Sequence, residues 1–370
     1  MKASSKTNQV DNNNELLSLA LRILSHISDT DTNTNTNTKS STKSSTLSAF
    51  QVSMSIISIT RIILATEPTT TTTAAYKTNT ISNRYSSSLR ITNTNTTTTT
   101  NTIINNMLTD SIIASSSSQS ISNILWSLGT ISCPIPQRTL DLIYDRFALV
   151  YKDMNDQAIA NILIGLYRAG VTWVAIPVMV QSILCSAICR ECLRMSPQSV
   201  CNILYSLGGL GATYNVLTER VILAAELALR KVCIQMKGRD ASQALVGLAT
   251  MNIQWSMLSN DTKDRLSMSI LKRANEWSGS GDTRAVVATP ATSSIEVLTI
   301  ISHLVRMKAS WADLTPPLKA SILLALQSFS TVNGNGSNIT TDGDGDDGDV
   351  YIRVLYYFSL LGLPLKSLPV

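Results

Sequence analysis

The chain has 370 residues, a formal net charge of +5, 44% hydrophobic residues and only 15% charged ones. Two histidines, His26 and His303, exclude a multi-histidine metal centre, and so slight a positive charge permits a polyanionic partner without demanding one. These averages conceal a division, because 61 of the first 117 residues are Ser, Thr or Asn, whereas the chain from Ser118 onward is rich in Leu, Ile, Val and Trp.

A stretch as polar as 1–117 buries too little apolar surface to offset its ordering entropy, so it is expected to be a low-complexity, largely disordered region. Two apolar islands interrupt it, Leu16–Ile27 and Ala49–Ala65, broken by Arg22 and Arg61. Asp11 and Glu15 ahead of the first island suit neither a signal peptide nor a presequence. An alternative reading makes Ala49–Ala65 and Ile103–Ile113 eroded copies of the repeat that follows.

From 118 the sequence repeats itself. Ser120-Ile-Ser-Asn-Ile-Leu-Trp-Ser-Leu-Gly129 is echoed by segments beginning at Ala158, Ser199, Asp240 and Glu296. Aligned on the second leucine, these place Leu128, Leu166, Leu207, Leu248 and Leu304 in one column, at spacings of 38, 41, 41 and 56, with Phe358 in a degenerate sixth copy 54 further on. The two long intervals contain insertions, 278–292 and the acidic, glycine-rich 331–349. Trp173, Trp255 and Trp311 each stand seven residues after the key leucine. Apolar residues recur at helical spacing within each copy, a break follows at Cys133-Pro134, Gly170 or Gly211, and a second helix is expected over 136–154, 176–195, 215–236, 257–277 and 314–329. No strand pattern is present. The expected fold is all-α, an α-solenoid of five to six helical hairpins of 38–41 residues: an array over 118–330, the loop 331–349 and a terminal copy over 350–370. The longest uncharged stretch, Val171–Cys189, carries Pro177 and a turn, and no membrane association is expected.

The phrase Ile121-Ser-Asn-Ile-Leu-Trp-Ser-Leu-Gly129, with Ile159-Ala-Asn-Ile-Leu-Ile-Gly-Leu-Tyr167, resembles the octotricopeptide repeat family and the related helical repeats that precede RAP domains in FAST-kinase-like proteins. The resemblance covers roughly 118–330. It departs at the fifth copy, where Thr299 replaces the asparagine, and no RAP domain is recognisable. It implies a non-catalytic protein that binds a single-stranded organellar RNA and steers its processing, stability or translation, together with protein partners of an RNA-processing complex. The implied compartment is a mitochondrion or chloroplast, with the cytoplasm as second choice. A protein-interaction scaffold of armadillo or HEAT type is the alternative use of the same architecture.

The candidate RNA-reading residues lie on the first helix of each copy, on the face of the asparagine column: Asn123, Asn161, Asn202 and Gln243, with Ser127, Ser206 and His303 four residues on, and Arg168, Thr250 and Arg306 seven on. Hydrogen bonding between packed helices explains the same column equally well. Basic residues at second-helix ends, Arg146, Lys152, Arg190, Arg194, Arg230, Lys231, Lys272 and Arg273, are candidate phosphate contacts, or else complement helix C-terminal dipoles. Cys185, Cys189 and Cys192 would share a helix face, but apolar helical surroundings favour buried thiols over zinc. The run from Asp342 fails as a calcium loop, with Asp347 where the turn glycine belongs and Arg353 where the bidentate glutamate belongs. No nucleophile signature, P-loop or dinucleotide fingerprint is present, so neither catalysis nor a cofactor is expected.

Overall fold

The computed structural model describes residues 48–66, 104, 108–277, 299–323, 356–357 and 359–362, and no strand occurs among them. The chain divides into two compact units, residues 1–187 and 188–370. In order, the helices are α1 (Ala49–Thr66), α2 (Asp110–Ser115), α3 (Ser118–Thr130), α4 (Gln137–Val150), α5 (Asp156–Arg168), α6 (Val178–Glu191), α7 (Pro197–Leu210), α8 (Glu219–Val232), α9 (Gly238–Thr250) and α10 (Asn260–Trp277). Helical stretches α11 (299–306) and α12 (316–323) follow. In the first unit α1 packs on α3, α3 on α5 and α2 on α4; in the second α7 packs on α9, and α8 and α9 pack on α10.

The first helices α3, α5 and α7 start on a side-chain cap, since Ser117, Asn155 and Ser196 each accept from the backbone N–H three residues on. Their ends are set by one device. The key-leucine carbonyl accepts from the N–H five residues later: Cys133 to Leu128, Val171 to Leu166, Ala212 to Leu207, Ile253 to Leu248 and Ala309 to Leu304, all at 2.9–3.0 Å. This Schellman bond requires a left-handed residue in between. The positive-φ residues among those described are Ser132, Gly170, Gly211, Asn252, Lys308 and Gly362, and each stands four positions after the key column. Gly362 places Phe358 in that column. The five key leucines are buried.

A second device joins successive copies in the second unit. The N–H at position +7 donates to the carbonyl at position +3 of the next copy: Tyr214 to Met251 at 2.8 Å, Trp255 to Met307 at 2.8 Å and Trp311 to Leu361 at 2.6 Å. The register therefore survives both long intervals. The short spacing of 38 also has a local cause. α4, α6, α8 and α10 begin at 137, 178, 219 and 260, a constant step of 41. The connection 131–136 in the first hairpin is three residues shorter than 169–177 in the second. The second carries a one-turn 3-10 helix, Trp173–Ala175, matched by Trp255–Met257 in α9's hairpin. Both tryptophans are buried, and Gln181 Nε2 donates to the carbonyls of Trp173 and Ile176. The second helices start one to four positions later than their periodicity predicts, and the turn Trp255–Met257 takes up the residue at which periodicity starts α10. α4, α6 and α8 also end earlier, with 3-10 turns after α4 and α8 at Tyr151–Asp153 and Cys233–Gln235, whereas α10 ends at Trp277 as expected.

The largely disordered stretch expected over 1–117 contains two described helices. α1 and α2 lie inside that stretch, and α1 buries Val52, Ile56 and Ile57 together with Ser53 and Thr60. Each buried hydroxyl donates to a carbonyl of its own helix, Ser53 to Phe50 at 2.8 Å and Thr60 to Ile56 at 2.9 Å, so a Ser/Thr-rich helix packs without an orphaned polar group there. The rest of 1–117, the insertions 278–292 and 331–349, and most of 350–370 lie outside the described residues.

Candidate nucleic-acid interface

The first helices carry a graded face. Asn123, Asn161, Asn202 and Gln243 are half-buried. Four residues earlier is about 40° round the helix in one direction, and Gln157 and Gln198 there are exposed, with Gln119 half-buried. Four residues later turns the other way, into the neighbouring helix. Ser127, Ser206 and His303 are buried at this position, so the ladder of candidate contacts narrows: these three face protein. The intervening members of their column are Gly165 and Gly247. A Cβ on Gly165 would lie 2.4 Å from the Leu125 backbone, and one on Gly247 2.5 Å from that of Leu204. Helix backbones meet there, which is why the column holds Ser and Gly in the first four copies, before His303 in the fifth.

The carboxamides bond to one another. Gln119 Nε2 donates to Asn123 Oδ1 at 3.0 Å along α3, and Gln243 Nε2 donates to Asn202 Oδ1 at 3.0 Å between α9 and α7. Asn123, Asn202 and Gln243 are thus engaged with other carboxamides while remaining half-exposed, as Asn161 is. At position +7, Arg168 Nη1 donates to Thr130 Oγ1 of the preceding copy at 3.1 Å, Thr250 Oγ1 donates to the Val246 carbonyl at 2.7 Å, and Arg306 is exposed.

The basic edge drawn from second-helix ends is largely occupied. Arg146 Nε donates to the Ser116 carbonyl at 2.8 Å, Lys231 Nζ donates to the Leu193 carbonyl, Arg190 pairs with Glu191 at 2.8 Å and Arg230 with Asp261 at 3.7 Å. Lys152 and Arg194 are exposed, and the side chains of Lys272 and Arg273 lie outside the described residues. Two of these cations thus face acids, Glu191 and Asp261. The first helices differ sharply: α3 and α7 hold no acid, and α5 and α9 hold one each, Asp156 and Asp240, in the first turn.

The glutamine column Gln119, Gln157, Gln198 went unnoticed in the sequence, although it recurs with the same steps of 38 and 41 and continues to Arg239. The signal was present. It stood beside the N-cap, where polar residues are expected in any helix.

Burial pushes the thiols of Cys133 and Cys233 up to about 12 and that of Cys201 well above its ordinary value, which suppresses thiolate. Burial also holds His303 below the usual histidine range, opposed by the hydrogen bond its Nδ1 makes with the Thr299 carbonyl at 2.6 Å and assisted by Arg306. Among the described residues, no group of three or more His, Cys, Asp or Glu could hold a metal ion, and no helix is long and apolar enough to cross a membrane. In comparison with known proteins, no family model matches the chain, and no curated protein matches its sequence.

Proposed function

We propose that this chain is an α-solenoid of helical hairpins that binds single-stranded RNA without catalysis, in the processing, stabilisation or translation of an organellar transcript. The observation that carries this reading is a carboxamide face on the first helices of each unit, Gln119 with Asn123 and Gln157 with Asn161 in the first and Gln198 with Asn202 in the second, with Arg168 on the α5 face and carboxylates confined to the first turn. Such a stripe offers donors and acceptors at base edges and does not repel phosphate. Phosphate contact falls to the exposed Arg306 in the second unit and, beside its bond to Thr130, to Arg168 in the first; four of the six described cations at second-helix ends are engaged by carboxylates or carbonyls. Crosslinking in cells followed by RNA recovery tests it: a discrete enriched transcript is expected, lost on combining Asn161→Ala with Arg168→Ala. Recovery unchanged by that pair of substitutions would overturn the reading.

A protein partner is the second reading, favoured by Val174, Val178 and Met179, all exposed around the turn that precedes α6. Exposed apolar side chains so grouped are typical of protein contacts. Affinity capture that loses a partner on Val178→Ser with Met179→Ser, with RNA recovery intact, would support a scaffold role at that site.

A further inference from the structure

We infer that the RNA-binding face begins upstream of the visible repeats, on α1, with Gln51 as the first member of its glutamine column. The inference rests on the RNA reading above. Superposing the α1 sequence on α3 with a shift of 68 residues sets Gln51 on Gln119, Ser55 on Asn123, Ile56 and Ile57 on Ile124 and Leu125, and Thr60 on the key residue Leu128. The burial pattern agrees at the apolar positions and departs at Phe50 and Met54, which are exposed where their counterparts Ser118 and Ser122 are buried. Val52, Ser53, Ile56, Ile57 and Thr60 are buried, as are their counterparts Ser120, Ile121, Ile124, Leu125 and Leu128, whereas Ser55 is half-buried like Asn123 and Gln51 is exposed like Gln157.

α1 packs on α3 as α3 packs on α5, and α2 packs on α4, so a first and a second helix both have their places in an upstream hairpin. The Gln column therefore runs on without interruption from α3 to α1 in the same unit. Nothing in α1 opposes a polyanion, since Ala49–Thr66 contains Arg61 and no acid. The occupant is consequently one more segment of the same RNA strand, held by a surface continuous with that of α3 and α5.

Gln51 has a structural duty too: its Oε1 accepts from Ser48 N–H at 2.8 Å, and its own N–H donates to Ser48 Oγ at 3.3 Å, a reciprocal cap. That duty supplies the discriminating variant. Gln51→Glu keeps the capping acceptor and suits the helix N-terminus, but sets a negative charge on the proposed RNA face. With the full chain, binding of unstructured, labelled RNA oligonucleotides of increasing length is measured by anisotropy for wild type, Gln51→Glu and Gln157→Glu. Both variants are expected to keep wild-type helicity and to weaken binding of the longest RNA about fivefold or more, the size of one lost polar contact replaced by repulsion. Gln51→Glu is further expected to bring affinity to its plateau at a shorter oligonucleotide. Loss in Gln157→Glu with an unchanged Gln51→Glu overturns the upstream extension alone. Absence of RNA binding by the wild-type chain overturns the RNA reading, and this inference with it.

Discussion

Gly165→Ala is the sharpest test of how the first helices pack. The added Cβ would sit 2.4 Å from the carbonyl carbon and oxygen of Leu125 and 2.8 Å from the Trp126 nitrogen, distances that real Cβ atoms do not adopt. To restore 3.0 Å, α3 and α5 must part by about 0.6 Å or more along the line of contact. The obstacle is backbone, which no rotamer change removes, so the cost lies near the upper end of the roughly 1–3 kcal/mol typical of overpacking. Alanine returns about 1 kcal/mol of helix propensity. The net expectation is a loss of about 2 kcal/mol, which for a unit of this size lowers the melting temperature by about 4–8 °C. Thermal unfolding followed through the buried Trp173 of the same unit reads it. Gly209→Ala, at an exposed position of α7, is the control and is expected to be stabilising by about 0.5–1 kcal/mol. A Gly165→Ala chain as stable as wild type would refute backbone contact between these helices.

Three further outcomes follow from the same geometry. Gly211 and Lys308 hold the same left-handed position, φ +82° and +57°, so Gly211→Ala should destabilise by about 1 kcal/mol and Lys308→Gly should stabilise by a comparable amount in urea titrations. Because burial lowers the pKa of His303, the folded state binds fewer protons there; stability is present above the ordinary histidine pKa and falls as pH drops through about 6.5. Melting curves from pH 8 to pH 5 should show that loss, and His303→Gln should flatten it. A double-mutant cycle on Asn202 and Gln243, with each changed to Ala, should give a coupling of about 0.5–1.5 kcal/mol in unfolding, the worth of one half-buried amide hydrogen bond.

What the sequence displays and what it hides divide along physical lines. The key leucines, the asparagine column and the break after each first helix are legible because burial and helix termination demand particular residues there. The left-handed position is legible at Gly170 and Gly211 but hidden at Ser132, Asn252 and Lys308, where the Schellman bond imposes the conformation on ordinary residues. α1 is legible as the apolar island Ala49–Ala65, but its register with the repeat is masked because Ser53 and Thr60 occupy core positions while bonded to their own helix. The division of the carboxamide face is hidden for a different reason. Asn123 and Ser127 share a stripe by periodicity, yet the 40° between them carries one to the surface and the other into the neighbouring backbone, and only packing tells which way is out. The cations of second-helix ends look available in sequence because their partners, Ser116, Leu193 and Asp261, lie about 30–38 residues away in the chain.

The central claim is that single-stranded RNA lies on the carboxamide face of the first helices. An anisotropy titration of unstructured, labelled RNA with the full chain, at low and moderate salt, tests it against Gln157→Glu combined with Gln198→Glu. Both residues are exposed, so the fold is retained and circular dichroism checks it. The account predicts wild-type binding that weakens as salt rises and falls by about tenfold or more in the double variant. Wild-type chain that binds no RNA, or a double variant that binds as tightly as wild type, would contradict it.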